Sequence, residues 1–277
     1  LYRELRAGGV HVAVLVYDLL PQQHPEWFEP SLVEVSNRTI AAQAAHADLV
    51  VAISAHTATS FTTWAQARGL HPPAPEVIPL GADAAGATSA PPVDLPEQLA
   101  GVRYVLAVGT VEPRKGHAQV LDAFEQLWAR GGGERLVIVG KPGWMLDDFV
   151  GRLKRHAERG RRLVWIEQAS DEYLGQLYSA SACLIAASHG EGVGLPLVEA
   201  AAHGLPIIAR DIPVFREVAG DHAFYFGTSS AEGLADAIMR WLQLDRAGKA
   251  PSSTDMPRLS WAESAANLQR LLLGGTL

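Results

Sequence analysis

The chain has 277 residues, 48% of them apolar, which is enough for two cores at roughly 150 residues per domain. Its net charge of -7 at pH 7, with no run of Lys or Arg, leaves no electrostatic footprint for a polyanion and argues against a nucleic-acid partner. No uncharged apolar run approaches the roughly 20 residues that span a bilayer, so any membrane contact is expected to be peripheral.

The chain opens Leu1-Tyr2-Arg3 without Met and runs almost at once into an apolar stretch, so it reads as the interior of a longer protein. Short β-rich runs then alternate with helical patterns from end to end, the signature of parallel sheets built from strand-helix-strand units. Strands are expected at 11–16, 49–53 and 77–78, most of them buried on both faces. Residues 81–98, rich in Ala, Gly, Pro and Ser, read as a linker between a partial first domain and a complete second one.

A strand at 104–108 leads into Gly109-Thr110-Val111-Glu112-Pro113-Arg114-Lys115-Gly116. The helix after Gly116 has one apolar face, formed by Val120, Leu121, Phe124, Leu127 and Trp128, and Gly131-Gly132-Gly133 stops it. Further strands are expected at 136–139, 163–166, 183–186, 207–209 and 223–226. The lone Cys183 lies in the fourth of these six strands and reads as a small buried hydrophobe, in keeping with a reducing compartment. A second loop-like stretch covers 248–257. The last helix begins at Ser260, with Glu263 at capping-box spacing.

The chemistry centres on Ser188-His189-Gly190-Glu191-Gly192-Val193-Gly194-Leu195-Pro196-Leu197-Val198-Glu199, which follows a buried strand and opens a helix. Its three glycines admit a ligand close to the backbone, and Pro196 suits a first helical turn whose free amides point at an anion. A helix N-terminus contributes only about 0.3–1 kcal/mol, so a diphosphate needs cations as well. Arg114 and Lys115, again between a strand end and a helix start, are the candidates.

A carboxylate ~4 Å from a phosphate charge is repelled by about 1–4 kcal/mol, so neither Glu191 nor Glu199 should face the diphosphate. Both can accept hydrogen bonds from hydroxyls, one on a transferred sugar and one on a ribose. Taken singly, Glu199 reads equally as a charge favourable to the helix dipole, and Arg114-Lys115 as a solvated pair. His24 and His189 read as surface or packing histidines, since nothing beside them sets a catalytic tautomer.

At these residues the sequence resembles the GT4 family of retaining glycosyltransferases, whose donor half carries a Glu-x7-Glu motif, here Glu191 to Glu199. The segment 109–116 is similar to the family's Gly-Thr-x-Glu-Pro-Arg-Lys motif. The likeness continues in Gly140-Lys141-Pro142-Gly143-Trp144, in Gly204-Leu205-Pro206-Ile207-Ile208-Ala209 and in Val77-Ile78-Pro79-Leu80-Gly81-Ala82-Asp83. Val193 stands where the family usually has Phe, and the first part of the family's N-terminal domain, with its glycine-rich loop, is expected to precede Leu1.

The resemblance implies an α/β fold of the GT-B type, two Rossmann-like domains with parallel sheets, the N-terminal one incomplete here. Its parts would be an acceptor-side domain at 1–80, a linker at 81–98, a donor-binding domain at 99–259 and a C-terminal helix at 260–277 packing back on the first. It implies transfer of a hexose, mannose favoured, from a nucleoside-diphosphate sugar to a saccharide or lipid-linked acceptor in polysaccharide synthesis, most like bacterial mannosyl- and rhamnosyltransferases. Glu191, Arg114 and Lys115 would act in catalysis. Gly109, Thr110, Gly192, Val193, Gly194, Leu195 and Glu199 would bind the donor.

Tyr17-Asp18-Leu19-Leu20-Pro21 resembles another family segment, in which Asp18 would either contact a sugar or cap the following turn. No Asp-x-Asp pattern and no His spacing of ligand type occurs, so no metal or other cofactor is expected, with GDP-mannose as the favoured donor. The expected location is cytoplasmic, against the inner face of the membrane. Two rival readings stand beside this one: a non-catalytic nucleotide-sugar-binding fragment, and another sugar-nucleotide enzyme on the same fold.

Overall fold

The alternation of short apolar runs with helical stretches becomes two parallel sheets in a computed structural model, which describes residues 2–83, 97–99 and 101–274. Most of the stretch expected as a linker, 84–96 of 81–98, lies outside the described residues. The chain divides into two compact units, one of Leu1–Ala82, Gly190–Gly194 and Leu259–Leu277, the other of Asp83–His189 and Leu195–Arg258.

The first unit begins with α1 (Tyr2–Ala7), β1 (Ala13–Val16), α2 (Leu20–Gln23), a 3-10 turn at Pro25–Trp27, α3 (Pro30–His46), β2 (Leu49–Ala52), α4 (Ala55–Gln66) and β3 (Glu76–Val77). Its strands pair in the order β1-β2-β3, all parallel, with Ala13 opposite Leu49 and Val51 opposite Glu76. Val14, Val16, Ile40, Val50, Phe61 and Ala65 form its core. The start of α4 is fixed by Ser54, whose hydroxyl accepts the Thr57 amide.

The second unit contains β4 (Tyr104–Val108), a 3-10 turn at Pro113–Lys115, α5 (His117–Ala129), β5 (Arg135–Val139), α6 (Asp147–Arg155), β6 (Leu163–Ile166) and α7 (Asp171–Ala180). It continues through β7 (Cys183–Ala186), α8 (Leu195–Ala202), β8 (Ile207–Arg210), α9 (Pro213–Ala219), β9 (Phe224–Phe226) and α10 (Ala231–Arg246). The six strands run in the order β6-β5-β4-β7-β8-β9, every pair parallel. Counted from β4, that order is 3-2-1-4-5-6, the doubly wound arrangement of dinucleotide-binding sheets.

Central strands of this sheet are mostly apolar, the exceptions being Arg135 at the start of β5 and Arg210 at the end of β8. All of β7 and β8 is buried, whereas the edge strand β6 alternates. The core joins Val105, Leu136, Cys183 and Ile208 of the sheet to Val120, Phe124 and Leu127 of α5 and to Ile238 and Trp241 of α10. Burying each such aliphatic side chain is worth about 1.5–3 kcal/mol. Cys183 is fully buried, and burial pushes its thiol well above its ordinary range, as a small core hydrophobe requires.

The last helix, α11 (Trp261–Leu272), opens with the full capping box of Ser260 and Glu263. It belongs to the first unit, where Ala82 N donates to Leu259 O and Ser264 Oγ donates to Pro79 O. Among the described residues no helix is long and apolar enough to cross a membrane.

Candidate functional site

The strand order of the second unit reverses between β4 and β7. Loops leaving their carboxyl ends therefore part in opposite directions and open the crevice where sheets of this kind bind ligands. Two short segments line that edge, residues 109–116 after β4 and 187–189 after β7. They are pinned to each other: His189 N donates to Arg114 O at 2.7 Å. Gly116 has a φ of 72°, and a Cβ there would stand 2.3 Å from Ala187 O, so the approach admits only glycine. On its other side the 109–116 loop is tied to the loop after β5, through Val111 N to Lys141 O and Gly143 N to Val111 O, both 2.9 Å.

This frame sets the two cations. Arg114 Nη2 lies 2.8 Å from Glu112 Oε1, and Glu112 is 2% exposed, so a buried carboxylate orients the guanidinium. Lys115 lies back over Gly109, with its Cε 3.2 Å from the place a Cβ would occupy. The side chain of His117, at the start of α5, is buried with Nε2 3.1 Å from Gly109 O.

Glu199 stands in the second turn of α8, half-buried, and its Oε2 accepts the Tyr178 hydroxyl at 2.7 Å. Burial raises its carboxyl above the ordinary 4.5, Asp171 adds to the rise, and the Tyr178 hydrogen bond and the Lys115 charge oppose it. Lys115 and Glu199 therefore share one electrostatic environment. The first-turn amides of α8, which have no intrahelical acceptors, face the same sheet edge. Cation, helix N-terminus and carboxylate together can hold an anion and a hydroxyl of one ligand.

The other half of the glutamate pair groups with the other unit. Gly190–Gly194 groups with the first unit, so Glu191 and Glu199 fall in different units. There Ser54 Oγ donates to Gly192 O at 2.6 Å and Thr57 Oγ1 donates to it at 3.2 Å. Gly192 sits so close to the end of β1 that a Cβ would stand 2.1 Å from Tyr17 O. Glu191 and Val193 are buried. Next to Tyr17, Asp18 Oδ1 accepts the Leu20 amide at 2.9 Å, which is the turn-capping bond. His24 stacks on Trp27 at 3.9 Å, as a packing histidine does.

Three comparisons with known proteins bear on this arrangement. The family profile described as Glycosyl transferases group 1 matches residues 97–254. The chain belongs to the group 1 glycosyltransferases. It is 39% identical over 280 residues to the serotype-specific mannosyltransferase WbdA of Escherichia coli, covering 97% of this chain and 34% of that protein. The phosphatidyl-myo-inositol mannosyltransferase of Mycolicibacterium smegmatis is 34% identical over 215 residues, 70% of this chain and 50% of that one. The chain thus spans about a third of the length of the WbdA proteins it matches.

Among solved structures, Anabaena Alr3699/HepE in complex with UDP and glucose superposes with a TM-score of 0.76 at 19% identity, over 99% of this chain and 74% of that one. Sucrose-phosphate synthase from Thermosynechococcus elongatus gives 0.71 at 17%, over 98% and 70%. The fold is of the GT-B type, as the family motifs implied.

Within this chain, Gly109, Thr110, Arg114, Lys115, Leu195 and Glu199 lie in the second unit, and Glu191, Gly192, Val193, Gly194 and Asp18 in the first. Sequence reasoning missed Arg210. This side chain is buried at the end of β8, where Nε donates to Ala187 O at 3.0 Å and Nη1 to Thr228 O at 3.1 Å, while Nη2 donates to Gln119 Oε1. A cation closing the apolar run Ile207-Ile208-Ala209 was the available signal. Tyr178, equally unmarked, lies on the face of α7 that meets Glu199. Among the described residues no cluster of three or more His, Cys, Asp or Glu side chains could hold a metal ion.

Proposed function

We propose that the chain belongs to a retaining glycosyltransferase and carries its donor-binding part. It would move a hexose, mannose in our reading, from a nucleoside-diphosphate sugar to a saccharide or lipid-linked acceptor in polysaccharide synthesis. The observation that carries this reading is the 109–116 loop, with Arg114 and Lys115, pinned through His189 N to Arg114 O at the strand reversal from which α8 and Glu199 follow. The mannosyltransferases that resemble the chain support the sugar, and GDP-mannose is accordingly the donor we propose.

In this reading the second unit binds the donor and the first carries the acceptor side. Arg114 and Lys115 stabilise the departing diphosphate as its charge develops, aided by the α8 amides. Glu199 holds the ribose hydroxyls, and Glu191 orients the transferred sugar, both away from the phosphates for the electrostatic reason given above. No protein carboxylate is assigned as nucleophile. The charge of the leaving group is met by protein cations, with no metal required. The place of action is the cytoplasmic face of a membrane, touched peripherally, and Asp18 is a further candidate contact for a sugar.

A thermal-shift screen of nucleotide sugars tests the donor. A ligand at about 100 times its Kd stabilises the folded chain by about 2.7 kcal/mol, several degrees for a unit of this size. GDP-mannose is expected to give the largest shift. A larger shift with UDP-glucose would overturn the donor, and no shift with any nucleotide sugar would overturn the binding site.

A further inference from the structure

We propose that Tyr178 is a positioning residue, whose hydroxyl fixes one oxygen of Glu199 so that the other is presented to the ribose hydroxyls of a nucleoside diphosphate. The inference rests on the reading of Glu199 as the ribose-binding carboxylate and adds the group that makes it competent.

A glutamate at the surface of a helix has three rotatable bonds, and its carboxylate samples many orientations. Glu199 is held. Tyr178, 2% exposed on α7, donates to Oε2 at 2.7 Å. The phenol is itself fixed, stacked on His203 with ring centroids 5.4 Å apart, and His203 follows the last residue of α8, its amide donating to Glu199 O. The imidazole Nδ1 in turn stands 3.0 Å from Ser179 Oγ, the neighbour of Tyr178. Tyr178, Glu199, His203 and Ser179 thus bind α7 to α8 through side chains, and one carboxylate oxygen is committed to the protein.

The proton assignment follows from the surroundings. Burial and the nearby Glu199 keep the Tyr178 phenol protonated far above neutral pH, so it is always the donor. The groups acting on Glu199 are Tyr178 and Asp171 from α7 and Lys115 from the loop after β4, with His203, just after α8, against Tyr178. Burial and Asp171 favour the neutral carboxyl, and Tyr178 and Lys115 favour the carboxylate. A carboxylate accepts from two hydroxyls, whereas a neutral acid does so less well. Removal of the phenol hydroxyl loses both the orientation and part of the charge.

The test compares GDP with 2′,3′-dideoxy-GDP by calorimetry on the wild-type chain, Tyr178→Phe and Glu199→Ala. The ratio of the two affinities does not depend on the fraction of folded protein. The wild type is expected to prefer GDP by about tenfold, the worth of a charge-assisted hydrogen bond. Tyr178→Phe should lose most of that preference by weakening GDP alone, with little change toward the dideoxy compound. Its GDP affinity should also fall off at a higher pH than in the wild type as the solution is acidified.

If Glu199→Ala abolishes the preference while Tyr178→Phe keeps it, with an unmoved pH profile, the positioning role is overturned and the ribose reading stands. If Glu199→Ala keeps the preference, the ribose reading fails and takes the proposal with it.

Discussion

Arg114 and Glu112 form an ion pair at the strand reversal, with Nη2 and Oε1 2.8 Å apart and the carboxylate 2% exposed. Arg114→Ala takes this partner from a buried charge, a change that costs about 3 kcal/mol in comparable pairs. Glu112→Ala is milder, because Arg114 at 17% exposure can still reach water. The two changes are not independent. A double-mutant cycle by chemical denaturation is expected to show the double variant more stable than the sum of the singles by about 1–3 kcal/mol. Strict additivity would mean that the pair does not set the loop.

Gly192 is held between Tyr17 O and the hydroxyls of Ser54 and Thr57. A methyl group there must displace backbone, and overpacking of this kind costs roughly 1–3 kcal/mol. Gly192→Ala is expected to lower the melting temperature and, on the proposed role of the neighbouring Glu191, to impair sugar transfer. A fully stable and active Gly192→Ala chain would contradict the geometry assigned to residues 190–194.

Arg210 ties the ends of β7 and β9 to the first turn of α5 with neutral acceptors. Arg210→Met removes this donor from Ala187 O and the Gln119 amide oxygen, at about 1–3 kcal/mol per buried group left unsatisfied, whereas Thr228 O keeps the Gln119 Nε2 donor. Burial lowers the affinity of this guanidinium for its proton, so removal of the charge itself returns part of that cost. The net expectation is a loss of stability that Arg210→Lys restores only partly. A Met variant as stable as the wild type would show that desolvation outweighs the hydrogen bonds.

Glu199 has a folded-state carboxyl raised above the ordinary 4.5. The folded state therefore disfavours its charge, and the wild type loses stability as pH climbs from that value through the folded one. Glu199→Gln keeps the Tyr178 contact and removes the penalty. It should be more stable than the wild type at pH 7, with the difference closing below pH 4.5, while binding GDP less well. Denaturation at both pH values checks the sign, and a Gln variant less stable at pH 7 would refute it.

Buried parallel strands read as unbroken apolar runs, which is why every strand from β1 to β9 was legible within one or two residues. The helix α5, the capping box of α11 and the buried Cys183 followed from spacing alone. Segments 109–116 and 188–199 stood out as a candidate site because glycines, cations and carboxylates cluster at strand ends. The grouping of residues 190–194 with the first unit was not, since it rests on contacts 138 and 135 residues apart in sequence, to Ser54 and Thr57. Arg210 was hidden for a different reason. Two of its acceptors are backbone carbonyls, which leave no mark in a sequence, and the third is one glutamine among many polar residues.

The central claim is that Lys115 binds the diphosphate of the donor. Calorimetry of GDP with the wild-type chain and Lys115→Ala tests it most directly. A charge-assisted hydrogen bond to phosphate is worth about 1.5–3 kcal/mol, so the variant is expected to bind GDP roughly 10- to 100-fold more weakly and guanosine unchanged. Equal affinity of the two chains for GDP would contradict the site.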